Sequence, residues 1–255
     1  MNEGRTLVVG DIHGAARALE QVLDRAGFDS SVDRLVSLGD LCDGWPDVDR
    51  TIDRLLEIDR LELVLGNHDA WALSWMRSGR PPRGWPSQGG MATIRSYARR
   101  AGIDGPLDAR TILEVARSVP HGHRQLLERA RSYLIEERPD GRRILFTHAG
   151  WSPGSDPKDQ DEYDLRWSRD LWIEARYRAG RDGADSGDEP LTGFDEVYLG
   201  HTPTEWRAPR QVMELWNLDQ GAGWDGVLTA MDVDGHEWWQ SDPVPELYPG
   251  EEGRG

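Results

Sequence analysis

The sequence predicts an α/β fold with a helical insertion, and two observations support this prediction. Short apolar runs that resemble strands alternate with amphipathic helical segments over the first third of the chain. Loops bounded by glycine, with Asp, Asn or His inside them, follow several of these strands. Because open α/β sheets bind ligands beyond the carboxyl ends of their strands, we expect these polar residues to meet at one edge.

The first elements alternate between strand and helix. The first three predicted strands are residues 6–9, 35–38 and 61–65. Between the first two strands, residues 15–26 carry Leu19, Val22 and Leu23 at helical spacing, and Gly27 gives the helix a stop. Pro46 suits the first turn of the helix between the second and third strands.

The middle of the chain predicts an insertion over about residues 77–132, with a Gly-, Pro- and Arg-rich loop followed by several helical pieces. Residues 163–177 form a predicted helix, and residues 180–190 a mobile loop. Further strands are predicted at residues 144–146, 197–199, 212–218, 226–233 and 236–240, with 212–218 and 226–233 antiparallel. We expect one domain over residues 1–242 and a disordered tail, rich in Pro, Glu and Gly, over 243–255.

Composition limits the partners and the compartment. The net charge of −16 repels long nucleic acids and anionic membranes, so neither is an expected partner. Cys42 is the only cysteine, which excludes an intramolecular disulfide and favours a reducing compartment. The charged N-terminus is unlike a signal peptide, and no apolar run reaches the roughly 20 residues of a spanning helix. We therefore expect a cytoplasmic protein.

Six side chains suited to metal binding lie in the glycine-bounded loops: Asp11, His13, Asp40, Asn67, His148 and His201. Oxygen and imidazole nitrogen donors without a thiolate suit manganese, iron, zinc or cobalt. Two such ions can together clamp an in-line displacement at phosphorus, and a carboxylate such as Asp40 can bridge them. The pattern predicts a hydrolytic centre with two divalent or trivalent transition metal ions, manganese being favoured.

These loops resemble the motifs of the calcineurin-like metallophosphoesterases. The resemblance is closest to the phosphoprotein phosphatase branch, which includes bacterial and phage Ser/Thr phosphatases and symmetrical diadenosine tetraphosphatases. The matching blocks are Gly10-Asp-Ile-His-Gly14, Gly39-Asp-Leu-Cys-Asp43, Gly66-Asn-His-Asp69, Thr147-His-Ala-Gly150 and Gly200-His-Thr-Pro203. The resemblance covers roughly residues 6–235 and implies two β-sheets packed face to face, with helices outside.

The resemblance also implies a role for each site residue. The first metal would be held by Asp11, His13 and Asp40, and the second by Asp40, Asn67, His148 and His201. A metal-bound hydroxide would attack the phosphate ester. His68 would be the general acid for the leaving oxygen, and Asp43 would orient it.

Two departures from the family pattern concern phosphate binding. The family's second motif carries Arg after its Asp, where this chain has Gly44, and the protein phosphatases carry Arg before Gly-Asn-His, where it has Leu65. The substrate phosphate must therefore be held by other donors or held less tightly. The candidates are Arg166 and Arg169, in a Trp-containing segment that resembles one near the family's site; a surface helix face is the alternative.

The sequence leaves the substrate open. We expect a phosphomonoesterase similar to protein phosphatases, acting on a phosphoprotein or a small phosphate. The alternatives are a nucleoside polyphosphate or phosphodiester hydrolase and, more remotely, a non-catalytic metal-binding interaction module. A nucleotide substrate could stack on an aromatic shelf formed by Trp45, Trp71, Trp75 and Trp85, whose alternative role is core packing.

Overall fold

Two five-stranded sheets pack against each other and helices flank them, as the resemblance implies. The computed structural model describes residues 4–180 and 189–254. Most of the predicted mobile loop at 180–190 lies outside the described residues. Within them, no helix is long and apolar enough to cross a membrane.

The first sheet has the strand order β10-β9-β1-β2-β3. Its strands are β1 (Thr6–Val9), β2 (Arg34–Ser37), β3 (Leu61–Leu63), β9 (Thr229–Asp232) and β10 (Trp238–Gln240). β1, β2 and β3 are parallel, whereas β9 is antiparallel to both β1 and β10. The parallel strands therefore end at the same edge of the sheet.

The second sheet has the order β4-β5-β6-β8-β7. Its strands are β4 (Tyr133–Glu137), β5 (Arg143–Thr147), β6 (Glu196–Leu199), β7 (Arg210–Val212) and β8 (Leu215–Asn217). β5, β6 and β8 are parallel, and the outer strands β4 and β7 are antiparallel to their neighbours. This sheet, too, presents three strand ends at one edge.

Alternation along the strands builds the layers. In β1, Leu7 and Val9 face the helices, whereas Val8 faces the second sheet. This follows from the two-residue period of a strand, which sends successive side chains to opposite faces. Residues of both sheets meet in the layer between them: Val8, Val36, Leu38, Val64, Ile144, Phe146, Tyr198, Leu218, Met231 and Val233.

Nine α-helices occur in the described part of the chain: α1 (Ala16–Ala26), α2 (Val48–Leu56), α3 (Asn67–Ser78), α4 (Gly90–Ala101), α5 (Ala109–Ser118), α6 (His121–Arg129), α7 (Asp164–Trp167), α8 (Asp170–Ala179) and α9 (Val244–Leu247). Helix α1 ends at Gly27 in a left-handed conformation, as predicted. Helices α4, α5 and α6 fall within the predicted insertion.

Several elements differ from the sequence prediction. The predicted helix 163–177 is two helices, because Ser168 between them is extended. Pro46 precedes the N-cap of α2, which is Asp47, and so lies outside the first turn. The expected antiparallel pair 212–218 and 226–233 does not form: β8 belongs to the second sheet, and β9 to the first.

The segment from residue 243, predicted to be disordered, has a defined path to residue 254 and includes α9. Its composition is polar, but Val244 and Tyr248 are buried. Tyr248 stacks on Trp45, with ring centroids 5.4 Å apart. Burial of these two side chains offsets the entropy lost by ordering the segment.

Candidate metal centre

The polar loops of both sheets converge at the carboxyl ends of their parallel strands. Asp11 follows β1, Asp40 follows β2 and Asn67 follows β3, while His148 and His201 follow β5 and β6. Close approach of the two sheets depends on Gly200, since a Cβ there would lie 2.0 Å from Oδ1 of Asp11. The six predicted metal ligands are all buried.

The ligands form two groups that could each hold a metal ion. One comprises Asp11, His13 and Asp40, and the other Asp40, His148 and His201, with donor atoms within 4.8 Å of one another in each group. Asp40 is common to both, and its Oδ2 lies 3.6 Å from His13 Nε2 and 3.4 Å from His148 Nε2. This is the position expected of a bridging carboxylate.

Asn67 joins the second group through its side-chain oxygen, which lies 3.0 Å from His148 Nε2. Backbone carbonyls fix the histidine rings: His148 Nδ1 is 2.8 Å from the oxygen of Leu38, and His13 Nδ1 is 3.0 Å from that of Cys42. A carbonyl can only accept, so each Nδ1 carries a hydrogen, and Nε2 is the ring nitrogen that faces the centre.

The backbone of the site is strained. Among the non-glycine residues of the described chain, a left-handed conformation occurs at His13, Asp40, Asp43 and His201, with φ of 51°, 51°, 73° and 63°. Met213 and His236 also adopt it. Such conformations cost about 1–3 kcal/mol each and persist where the surroundings fix them, commonly at functional sites.

His68 lies beside the ligands with its ring held by a carboxylate. Its Nδ1 is 2.6 Å from Asp43 Oδ2, and its ring centroid is 5.1 Å from that of His13. The same Oδ2 accepts from Trp85 Nε1 at 2.6 Å, and Oδ1 accepts from Thr93 Oγ1 at 2.6 Å. Asp43 thus acts as an acceptor for three donors, and Nε2 is the ring nitrogen of His68 that Asp43 does not engage.

The buried charges shift one another's pKa values. Burial, together with the charge of Asp219, raises the pKa of Asp11 well above its usual value. Burial opposes ionisation of Asp40 as well, but the surrounding histidines, His148 foremost, lower its pKa well below the usual value. Burial would lower the pKa of His148, yet the charge of Asp40 raises it to about 10.

The other two ligand histidines are shifted the opposite way. Burial and the charge of Arg254 hold the pKa of His13 well below its usual value. Burial and the charge of His148 lower that of His201 to about 3. Both are neutral imidazoles at physiological pH, the form that binds metal ions.

The chain is similar to proteins of a known family. Residues 4–205 match the family model of the calcineurin-like phosphoesterases. The chain belongs to this family. A relative named serine/threonine-protein phosphatase 1 from Salmonella typhimurium is 30% identical over 225 residues, covering 87% of this chain and 88% of the relative. A symmetrical bis(5'-nucleosyl)-tetraphosphatase from Dechloromonas aromatica is 36% identical, covering 94% and 96%.

Solved structures share the fold of this calcineurin-like phosphoesterase. A protein provisionally named a diadenosine tetraphosphatase aligns with a TM-score of 0.63 and 21% identity over 95% of this chain and 94% of that one. A metallophosphoesterase from Sphaerobacter thermophilus aligns with a TM-score of 0.52 and 16% identity over 93% and 87%. Family membership makes the chain a phosphoester hydrolase.

The two arginines predicted to bind phosphate occupy different surroundings in this phosphoesterase. Arg166 donates through Nε and Nη2 to the carbonyl and carboxylate of Glu162, at 2.6 Å each. Arg169 is exposed just before α8, and its charge contributes to the lowered pKa of His201. Arg169 is thus within electrostatic reach of the centre, whereas Arg166 is engaged along its own segment.

The predicted aromatic shelf is mostly core. Trp45, Trp75 and Trp85 are at most 1% exposed and so have no free face for stacking. Trp71 is partly exposed, with its ring centroid 5.2 Å from that of His68 and 4.9 Å from that of Trp167. Trp167 in turn stands edge-on to His201 at 5.9 Å. A partly exposed aromatic rim therefore borders the centre, with different members from those predicted.

Three residues of the site were not predicted as such from the sequence. Asp69 accepts from the amides of Gly66, Leu41 and Cys42 and thus ties α3 to the Asp40 loop. Asp219 follows β8 and is buried close enough to raise the pKa of Asp11. Arg254 lies against His13. Position after a strand could have indicated Asp219.

Proposed function

We propose that this phosphoesterase hydrolyses phosphate monoesters with a dinuclear metal centre. The observation that carries the proposal is the pair of buried ligand groups that share Asp40, with the His68–Asp43 pair beside them. The first ion would be held by Asp11, His13 and Asp40, and the second by Asp40, Asn67, His148 and His201. When bound, the two metal ions would polarise the phosphoryl oxygen and lower the pKa of a coordinated water.

The donor set fits this metal pair. It contains carboxylate, amide and imidazole donors and no thiolate, which suits manganese, iron, zinc or cobalt, with manganese our first choice. Asp11, Asp219 and Asp69 are buried carboxyl groups whose pKa values are all raised, the latter two to about 6. Burial is the largest cause of these raised pKa values and repulsion between the acids adds to it, and a cation among them would offset both.

His68 is proposed as the general acid. Asp43 accepts a hydrogen bond from His68 Nδ1, so a hydrogen on Nε2 would be the one passed to the leaving oxygen. Arg169 is our candidate for holding the substrate phosphate, with Arg166 second because Glu162 already engages it.

The substrate proposal is a phosphoprotein or a small phosphorylated molecule, and the proposed compartment is the cytoplasm. The specific observation for the alternative, a nucleoside polyphosphate or phosphodiester, is the partly exposed pair Trp71 and Trp167 beside His68 and His201. Aromatic faces of this kind can stack on a nucleobase.

Metal-stripped protein with Mn²⁺, Fe²⁺, Zn²⁺ or Co²⁺ added back tests the centre. The substrates are p-nitrophenyl phosphate, its bis-ester, an alkyl monophosphate, diadenosine tetraphosphate and a phosphopeptide. We expect metal-restored turnover that Asp40→Asn abolishes together with one or both bound ions. Full turnover by Asp40→Asn, or none by the loaded protein on any substrate, would contradict the proposal, and the second outcome would favour a non-catalytic module.

The general acid is tested by the leaving group. His68→Asn should lower kcat by about 10²–10⁴-fold for the alkyl phosphate, whose leaving oxygen needs a proton. The loss should be much smaller for p-nitrophenyl phosphate, and the metal content should not change. His121→Asn is the matched control, because His121 is exposed on α6. Equal losses on both substrates would remove His68 from this role.

A further inference from the structure

The chain after α9 returns to the metal centre and is fixed there. The hydroxyl of Tyr248 accepts from the amide of Arg17 at 3.1 Å, and its ring stacks on Trp45. Further along, the amide of Arg254 donates to the carbonyl of Gly223 at 2.8 Å. These contacts anchor the segment at both ends and direct the side chain of Arg254 toward the ligands.

The guanidinium of Arg254 lies against the first ligand group. Its Nη1 is 3.3 Å from Nε2 of His13, the ring nitrogen that faces Asp40. Its Cζ lies 4.3 Å from the ring centroid of Trp224, an arrangement that supports the cation on the aromatic face. The contacts with His13 and Trp224 therefore fix the position of the side chain.

The guanidinium of Arg254 has hydrogen-bond donors without an acceptor. Over residues 4–180 and 189–254, no carboxylate lies within ion-pair distance of it. Its Nε is buried and has no hydrogen-bond partner. A buried donor without an acceptor costs about 1–3 kcal/mol, so an arginine in this state beside a cation-binding cluster calls for an anionic ligand. A guanidinium presents a planar fork of donors that matches phosphate oxygens.

Gly44 provides the space for this side chain. A Cβ at position 44 would lie 3.0 Å from Cγ of Arg254, and the φ of Gly44 is +97°, which L side chains rarely adopt. Gly44 stands where the resembling family motif carries its arginine. A side chain at position 44 and the side chain of Arg254 would therefore compete for the same volume.

We propose that Arg254 binds the substrate, donating to the phosphoryl oxygens in place of the arginine missing at position 44. The inference rests on the proposed function, because it needs a phosphate at the metal centre. It assigns the phosphate contact to a segment remote in sequence from every metal ligand. A metal bound at His13 would occupy the lone pair of Nε2, so the guanidinium donors of Arg254 would be available to the anion.

The test compares wild type, Arg254→Ala and Arg254→Lys in the metal-loaded full chain. Inorganic phosphate is the probe, measured by its inhibition of p-nitrophenyl phosphate hydrolysis and by the thermal stabilisation it confers. For Arg254→Ala we expect phosphate to bind roughly 10- to 100-fold more weakly and KM to rise by a similar factor, because charged hydrogen bonds are lost. Lys should recover part of the loss, since it keeps the charge but not the fork. Metal content should not change.

Arg143→Ala is the matched control: Arg143 also packs its guanidinium on an aromatic ring, 5.0 Å from the centroid of Phe194, but at the opposite end of β5 from His148. Unchanged phosphate binding in Arg254→Ala overturns the inference. Higher activity or metal occupancy in that variant also overturns it, and would identify a blocking segment instead. Thermal stabilisation by phosphate needs no turnover, so failure of the hydrolase proposal is distinguishable from failure of this one.

Discussion

At the scale of single residues, Asp43 shows how the site fixes one hydrogen-bonding geometry. Thr93 accepts from the amide of Asp43 at 2.9 Å and donates to its carboxylate at 2.6 Å, so one hydroxyl holds both the backbone and the side chain. The left-handed φ of 73° at Asp43 shows that its loop needs such support. The orientation of His68 therefore depends on Thr93 acting through Asp43.

Thr93→Val should loosen this support without touching a ligand. We expect kcat on alkyl phosphates to fall about 10-fold, because the proton donor is less well placed, with a smaller loss on p-nitrophenyl phosphate. Metal content, measured by mass spectrometry, should equal that of wild type. A uniform loss on both substrates would indicate general misfolding rather than a role in orienting His68.

The buried carboxyl group of Asp219 makes the stability of the metal-free protein depend on pH. Burial is the main cause of its pKa rising from 3.8 to about 6. Because the pKa of Asp219 is higher in the folded than in the unfolded chain, its contribution to the free energy of unfolding is fully present at pH values below the unfolded-state pKa. That contribution is lost as the pH rises through the folded-state pKa. The loss amounts to about 3 kcal/mol above pH 6, before any cation binds.

Asp219→Asn should therefore stabilise the metal-free protein at pH 8 by about 2–3 kcal/mol, and by much less near pH 4. Urea unfolding of chelator-treated wild type and variant at both pH values measures the difference. An equal difference at the two pH values would show that charge is not its source. In the metal-loaded protein the gain should shrink, since the cations offset the carboxylate.

At the scale of elements, strand ends were predictable because each combines an apolar run with a following glycine. The first three strands follow from this pattern, and the predicted ligands Asp11, Asp40 and Asn67 lie after them. β4 was missed because its side chains are only partly covered and include Glu136 and Glu137, which weakens the apolar signal. Sheet membership of β8 and β9 was mispredicted because a two-residue period identifies a strand's faces but not its partner.

The connection between the sheets also depends on one glycine. Gly200→Ala would place a Cβ 2.0 Å from the Asp11 carboxylate, which accepts from the amide of His201. We expect Asp11 to shift and the first metal to bind at least 10-fold more weakly, as measured by titration calorimetry. Gly193→Ala is the control, because nothing lies within 4 Å of a Cβ there. Unchanged metal affinity in Gly200→Ala would contradict this account of how the sheets approach.

At the scale of the whole molecule, the candidate site is assembled from loops of both sheets, with predicted ligands from Asp11 to His201. Local sequence patterns could select these residues because each lies in a short motif of its own, and the structure brings them together. They could not predict Arg254, whose approach depends on the burial of Val244 and Tyr248 far along the chain. The polar composition after residue 243 conceals those two anchors.

Metal removal should lower the stability of the whole fold. Only the native arrangement brings the predicted ligands of the two sheets together, so bound ions should stabilise it by about 3–4 kcal/mol at 100–1,000 times their dissociation constant. Calorimetry with and without chelator should show one transition that moves to lower temperature. Asp40→Asn should respond far less to the chelator; an equal response would indicate that the ions bind elsewhere.

The left-handed backbone at His13, Asp40, Asp43 and His201 limits how this protein can be engineered. A design method that rewards relaxed conformations would replace these four residues with glycine and would gain stability at each position. The product would be a more heat-resistant scaffold with an emptied centre. Selection for thermal tolerance alone should therefore drive variants of this chain away from catalysis, and a library for that purpose should keep these four positions fixed.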